Sequence, residues 1–306
     1  MEREFYLSDD KFLKPCYRIS PFTTKDLAEN SCLNFDDSIL KFLNNKFSSK
    51  NFIFTNTGRE ALSTALRFYS LKKDDVVTIF TTSGNYYVSS CVTNEIEKYC
   101  SWSRNIEKKT KILLIIHEFG FPYENLRDLK KYNFPIIEDC AHSFGSQNKE
   151  NTVGKVGDFV IYSLPKFFSI NFGGILFSKK NKLYNFVDSN KENYIIKVLS
   201  KNIKNYDQII EKRVMNYNYL ESQMQKKFNY EIRFKLEKNY VPGVFLVRID
   251  DINLNKLKTF FQNNGVEASV FYNEKTFFMP VHQALKESDL DYFIYLIYEF
   301  KRREVF

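Results

Sequence analysis

Pro135-Ile136-Ile137-Glu138-Asp139-Cys140-Ala141-His142-Ser143-Phe144-Gly145, followed by Gly154 to Gly157 and by Tyr162-Ser163-Leu164-Pro165-Lys166, is the stretch that decides how this chain folds. A short apolar strand ends on a carboxylate, a loop follows, and a second apolar strand, Phe159 to Ser163, leads to a lysine. That order suits carbonyl or pyridine chemistry. A lysine amine forms a Schiff base when it is held beside an aldehyde and partly desolvated, and a buried carboxylate keeps an opposing pyridine nitrogen protonated. Asp139 and Lys166 are the candidates for those two roles. Taken singly, each also fits a plainer role: Asp139 as the cap of a helix starting at Cys140, Lys166 as a solvated turn residue. The two together, with glycines after them, carry more weight than either alone.

Upstream, Phe52-Ile53-Phe54-Thr55-Asn56-Thr57-Gly58-Arg59-Glu60-Ala61-Leu62 predicts a strand, a glycine-containing turn and a helix from Glu60 to about Leu71. Backbone N–H groups at a helix start reached through such a turn bind anions, and Arg59 adds a fixed positive fork. A simple strand-to-helix connection capped by Thr57 explains the same residues equally well. Asp75 to Thr81 predicts the next buried strand, with a helix running to about Tyr99. Tyr86 and Tyr87 follow that strand's end, where an aromatic ring can stack on a flat ligand. Lys111 to His117 predicts a third strand, a helix follows near Asn125 to Lys131, and Ile136 to Asp139 and Gly174 to Ser178 add further strands. Nearly all-apolar strands alternating with helices give an α/β fold with a mostly parallel sheet covered on both faces. Ligands of such sheets bind beyond the carboxyl ends of the strands, where Gly58, Asp139, His142 and Ser163 fall.

With 306 residues the chain exceeds the ~250 to 300 at which one core stops growing, so a large unit with a smaller appendage is expected. Hydrophobic residues make up 43% and charged ones 27%, mean hydropathy is -0.40, and no apolar run approaches the ~18 residues of a membrane span. Met1-Glu2-Arg3-Glu4-Phe5 carries no charged-then-apolar signal pattern. Five cysteines, Cys16, Cys32, Cys91, Cys100 and Cys140, show no C-x-x-C spacing and fit thiols in the cytoplasm. Three scattered histidines make no metal motif. The net charge of +8 is spread along the chain without a basic block, which argues against nucleic acid as partner. The 20 tyrosines and 31 phenylalanines fit the composition of an AT-rich genome.

After Lys179 the character changes. Residues 180–228 are charged with helical spacing, clearest from Tyr206 to Met224, and a second α/β unit follows: strand Gly243 to Ile249, helix Asn253 to Asn263, strand Val266 to Phe271 and a last helix from Ser288 to Arg302. The expected division is 1–180 as a large α/β domain, 181–239 as a connecting helical segment and 240–306 as a small C-terminal α/β domain.

Thr57-Gly58-Arg59-Glu60-Ala61-Leu62, His117-Glu118-Phe119-Gly120, Glu138 to Gly145, Gly157-Asp158, Ser163, Lys166, Gly173-Gly174 and Met279-Pro280-Val281-His282 together resemble the DegT/DnrJ/EryC1/StrS aminotransferases. These are fold-type I pyridoxal-phosphate enzymes, mostly acting on nucleotide-linked keto-sugars. The resemblance runs in order from about Phe52 to the C-terminus. It implies that Lys166 holds pyridoxal 5'-phosphate as a Schiff base and shuttles a proton, and that Asp139 pairs with the pyridine nitrogen. It also implies that His142 lies near the phenolic oxygen and that Thr57, Gly58, Arg59 and Ser163 take the phosphate; for the stacking aromatic there is no clean counterpart, with Asn85, Tyr86 and Tyr87 as candidates and Tyr86 taken first. Retention of lysine argues against the family's dehydratases, which have histidine there. Several positions depart from the family pattern. Ser163 and Lys166 are closer together than usual, Phe172 replaces an acidic residue, and Arg59 replaces a threonine. The asparagine that reaches the partner subunit's phosphate has no clear counterpart, with Asn193 as a candidate. The implied activity is transfer of an amino group from an amino acid, glutamate, to a keto group of a nucleotide-linked sugar, in surface polysaccharide or modified-sugar biosynthesis. The implied protein is a cytoplasmic homodimer with small-molecule partners, an amino donor and an anionic keto acceptor. The alternatives are a small phosphorylated ketone as acceptor, or a degenerate scaffold without transaminase activity.

Overall fold

A seven-stranded sheet carries the candidate residues at one of its edges. The computed structural model describes residues 16–47, 51–180, 183, 187–271 and 274–304; Met1 to Phe5, read above for a targeting signal, lie outside them. The strands are β1 (Asn51–Thr55), β2 (Val76–Thr81), β3 (Ser101–Ser103), β4 (Thr110–Ile116), β5 (Ile136–Asp139), β6 (Phe159–Ser163) and β7 (Gly174–Ser178). Their spatial order is β1-β7-β6-β5-β4-β2-β3, with the run from β6 to β3 parallel and β7 antiparallel to both of its neighbours. The mixed edge puts Thr55, Gly174 and Ser163 side by side in register, next to the end of β5 at Asp139.

Side chains alternate across a strand, so an all-apolar strand needs cover on both faces. Leu113 and Ile115 of β4 join one core with Val160, Tyr162 and Phe177, beneath α2 (Ser38–Lys46) and α5 (Ser189–Ile203). Ile112 and Leu114 join the other with Ile137, Phe159 and Ile161, beneath α3 (Gly58–Phe68) and α4 (Ser90–Glu97). At the N-terminal side, α1 (Thr24–Ser31) begins with a capping box between Thr23 and Asp26.

The helix α6 (Tyr206–Phe228) contributes to two cores: Ile209 packs into the large-sheet core, whereas Tyr217, Leu220 and Met224 pack into that of the C-terminal unit. That unit holds β8 (Phe245–Arg248), β9 (Ser269–Phe271) and β10 (Thr276–Met279) in the order β8-β10-β9, with α7 (Leu254–Asn263) and α8 (Glu287–Glu304). Ile19 from the N-terminal side joins this second core.

Three elements differ from the sequence expectation. The helix near Asn125 to Lys131 is a 3-10 segment, Arg127–Tyr132, because Leu129 is its one buried residue and Asn133 closes it in the left-handed conformation, φ 57°. The strands β3 and β10 were not expected; both are short, at three and four residues. No helix among the described residues is long and apolar enough to cross a membrane.

Candidate active site

The anion turn forms as the Thr-Gly pattern requires. Thr57 is the N-cap of α3, and its side-chain oxygen accepts from the Glu60 amide at 3.1 Å. Glu60 reaches back to accept from the Asn56 amide at 2.6 Å and from its side-chain nitrogen at 2.9 Å. These bonds leave the Gly58 and Arg59 amides, in the first turn, where a helix offers no internal acceptor. A Cβ on Gly58 would lie 2.9 Å from the Ser163 Cβ and 3.4 Å from its Oγ. Gly174 has a related constraint: a Cβ there would lie 2.6 Å from Thr55 Oγ1 and 2.8 Å from the Thr57 carbonyl oxygen. The two glycines let β1, β6 and β7 close up until two amides, a hydroxyl and a helix start surround one small space. The donor set, with its partial positive charge, is that of a phosphate cradle. The Arg59 side chain is exposed beside it.

Glu138 and Asp139, adjacent at the end of β5, are treated in opposite ways. Glu138 is fully buried, and its Oε1 accepts from the amides of Val156 (2.9 Å) and Gly157 (2.6 Å). Its Oε2 accepts from the Gly154 amide (2.7 Å) and pairs with His117 Nε2 at 3.3 Å. Since His117 Nδ1 accepts from the Tyr123 amide, the ring proton is on Nε2 and donates to Glu138. The potential ligand atoms of His117, Glu138 and Cys140 lie within 4.8 Å of one another. The Glu138 oxygens are directed at N–H donors, however, so this cluster holds the 154–157 turn in place and offers a cation little.

Asp139 is 8% exposed, and its Oδ1 accepts one hydrogen bond, from the Ala141 amide at 2.9 Å. No helix starts at Cys140, so this bond closes a turn. Burial pushes the Asp139 carboxyl up from its ordinary range. A carboxylate so poorly satisfied calls for a cationic N–H donor.

His142 follows this turn, near Lys166 and Arg213, with its Nδ1 against Gly243, where a Cβ would lie 2.9 Å away. Its Nδ1 is buried with no hydrogen-bond partner. Burial, followed by the positive charges of Lys166 and Arg213, pushes its pKa well down, so the ring is neutral. Phe119 lies edge-on to it, 5.2 Å between ring centres, and holds φ 53°, ψ 30°, a left-handed conformation uncommon for a bulky residue. Ser163 ends β6 and leads through the 3-10 turn Leu164–Lys166, so the half-buried Lys166 stands one short turn from the phosphate cradle. Its Nζ makes no hydrogen bond or ion pair with any described residue.

Thr57, Gly58, Ser163, Asp139, His142 and Lys166 therefore share the carboxyl edge of the sheet, with Arg59 at its rim. Tyr86 does not join them: it is 67% exposed and packs toward Trp102 at 6.2 Å, while its neighbour Tyr87 turns inward against Phe271. Asn193 is exposed on α5, and His282 is buried with its pKa pushed down by burial to about 3. Sequence reasoning missed Arg213, whose guanidinium holds the Lys166 carbonyl at 3.0 Å. The signal was a cation on the apolar stripe Ile209, Arg213, Tyr217, Leu220, Met224.

Residues 39–225 match a family model described as "Putative PLP-dependent aminotransferase". GDP-perosamine synthase of Escherichia coli O157:H7 is 29% identical over 184 residues, covering 52% of this chain and 50% of that protein. A dTDP-3-amino-3,6-dideoxy-alpha-D-galactopyranose transaminase of Aneurinibacillus thermoaerophilus is 29% identical over 122 residues, covering 35% and 34%. The chain thus spans half or less of the length of these curated relatives. Among solved structures, a DegT DnrJ EryC1 StrS aminotransferase from Brucella abortus superposes with a TM-score of 0.67 at 14% identity, over 90% of this chain and 93% of that one.

Proposed function

The chain belongs to the family of pyridoxal-phosphate-dependent aminotransferases, and from that premise we propose that it moves an amino group from glutamate to a keto group of a nucleotide-linked sugar. One observation carries the proposal. The structure gathers a phosphate cradle, a buried and poorly satisfied carboxylate, a neutral histidine with an orphaned ring nitrogen and a lysine amine with no partner among the described residues at a single sheet edge. Each fits one part of the cofactor. Bound there, pyridoxal phosphate supplies a carbonyl that accepts an amino group and a ring that takes up the electron pair released at the amino-acid carbon.

The protein's residues do the rest. The Gly58 and Arg59 amides, Ser163 Oγ and the Arg59 guanidinium hold the phosphate, with Thr57 fixing the turn. Asp139 keeps the ring nitrogen protonated, because a carboxylate with its pKa raised by burial gains a strong partner in a cationic N–H. His142, neutral, would be a ring partner on the phenolic-oxygen side of the cofactor. Lys166 would hold the cofactor's carbonyl end through Nζ, and its amine is the group placed to move a proton there.

A nucleotide-sugar acceptor is supported by the names of the relatives, a GDP-perosamine synthase and a dTDP-aminosugar transaminase. The five cysteines, none in a disulfide, support a cytoplasmic location. Exposed Phe35, Met215, Tyr295 and Tyr298 offer apolar surface for a second copy, and sedimentation would test the homodimer. The same proposal assigns residues 1–180 to cofactor binding, 181–239 to a helical connection and 240–306 to a small C-terminal domain.

The test is the absorbance spectrum of the protein with added pyridoxal phosphate, beside that of Lys166→Ala, before and after glutamate. A visible band that needs Lys166 and is bleached by glutamate is expected. A spectrum of free cofactor in both proteins would refute the assignment.

A further inference from the structure

Arg213 heads the fully buried side chains by volume, and none of its acceptors is a carboxylate. Its guanidinium donates to the carbonyl oxygens of Lys166 (3.0 Å), Phe167 (3.3 Å) and Pro242 (3.1 Å), and to the side-chain oxygen of Gln283 (2.8 Å). The group also lies 4.9 Å from the centre of the Phe167 ring. Burial lowers its pKa to about 9, so it remains charged at neutral pH. Placing such a cation in a core without a counter-ion costs several kcal/mol. A leucine would fill the same helix stripe without that cost.

The geometry of the bonds shows what the charge does. Lys166 and Phe167 end the 3-10 turn, where carbonyl groups lack internal partners. One nitrogen, Nη2, donates to both consecutive carbonyls while Nη1 and Nε hold Pro242 and Gln283, so the planar guanidinium ties the lysine turn to two other segments at once, which a single ammonium does not. Gln283 adds a second hold by donating to the Phe167 carbonyl at 3.0 Å. Pro242 and Gln283 both come from the C-terminal part of the chain.

We propose that Arg213 is a positioning residue for Lys166: it clamps the backbone of the lysine turn to the C-terminal unit, so that the amine stands where a bound aldehyde can meet it. This rests on the pyridoxal-phosphate reading above. A bound aldehyde would join Nζ with release of one water, so the clamp matters to a ligand that bonds to Lys166. Pyridoxamine phosphate occupies the same cradle without that bond. Arg213 should therefore affect the two ligands unequally.

The experiment is a binding titration of the apo-protein with pyridoxal phosphate and, separately, pyridoxamine phosphate, by equilibrium dialysis. Wild type, Arg213→Met, Arg213→Lys and Gln283→Ala are compared, with thermal unfolding of each. Arg213→Met is expected to weaken pyridoxal phosphate tenfold or more and pyridoxamine phosphate less than threefold, with the unfolding midpoint unchanged or raised. Arg213→Lys should show nearly the same loss, since it keeps the charge without the fork. Gln283→Ala should lose a few fold with the same selectivity, and it carries the comparison if Arg213→Met does not fold. Equal losses for both ligands, no loss at all, or full recovery in Arg213→Lys would each overturn the clamp. Wild-type protein that binds neither ligand would instead remove the cofactor reading, and the clamp with it.

Discussion

Replacing Glu138 by glutamine changes one oxygen to an NH2 group with almost no change in volume, and the structure gives the consequence. The carboxylate receives four donors: the amides of Gly154, Val156 and Gly157 and the Nε2–H of His117. Glutamine keeps one oxygen, which serves two of them. Its NH2 then confronts the remaining pair, donor against donor. Turning the His117 ring proton to Nδ1 does not help, because Nδ1 already accepts from Tyr123 at 3.0 Å. Two charge-assisted bonds at about 1.5–3 kcal/mol each are lost in a site closed to water, so Glu138→Gln should cost about 3–6 kcal/mol. For a domain stable by about 5–15 kcal/mol that is a large share. Urea unfolding of both proteins, followed by circular dichroism with a shared slope, measures the difference. A cost below about 1 kcal/mol would show that water or another group meets these amides, and that the 154–157 turn is not held by Glu138.

Asp139→Asn should act in the opposite sense on the apo-protein. Burial raises the folded carboxyl's pKa, so wild type loses stability as pH rises from the unfolded carboxyl's range to the raised value, and the variant does not. Its unfolding midpoint should match wild type near pH 3 and exceed it at pH 7, while pyridoxal-phosphate affinity falls; equal midpoints at both pH values would contradict the burial argument. Gly58→Ala puts a methyl group 2.9 Å from the Ser163 Cβ, an overpacking cost of about 1–3 kcal/mol, and narrows the cradle. Cofactor and inorganic phosphate should both bind at least tenfold more weakly, as dialysis would show, and unchanged binding would move the phosphate elsewhere. Lys46 sits among Phe42, Phe47, Phe144 and Tyr206, and burial lowers its pKa from 10.5 to about 8. Between those values the unfolded chain binds more protons, so stability should rise by up to about 3 kcal/mol from pH 8 to 10.5 relative to Lys46→Met. Denaturant titrations at pH 7, 8.5 and 10 check this, and parallel pH curves for the two proteins would refute it.

The sheet was legible because each of its longer strands is apolar on both faces and is bounded by turn residues, as in Ile112 to Ile116 and Phe159 to Ser163. Periodicity carries such strands and loses the short ones. Ser101–Ser103 is a polar edge strand, and Thr276–Met279 has too few residues to show alternation. The strand ends were legible for the same reason, and with them the residues that follow a strand directly: Thr57 to Arg59, Asp139, Ser163 and Lys166. Which of two adjacent tyrosines turns inward was not, because the direction depends on the pairing of the 82–89 loop with the C-terminal unit, seen in the bonds that Asn85 and Arg233 both donate to Glu274. Arg213 was missed because a cation on a helix reads as solvated until the helix's partner surfaces are known.

The distribution of unsatisfied polar groups separates scaffold from site more sharply than burial does. Glu138, Asp139 and Arg213 are all buried, yet Glu138 and Arg213 have acceptors or donors on every side. Their bonds shape the backbone: one holds the turn after β5, the other the turn that carries Lys166. Asp139 has a single amide, His142 Nδ1 has none, and the Gly58 and Arg59 amides point out of a helix start. A fold that spends donors so freely on Glu138 and so sparingly on its neighbour keeps Asp139 for a partner that arrives later. The requirement for that partner is set by all of these groups at once: an anion at one end, a protonated nitrogen at the other, and a carbonyl within reach of Lys166.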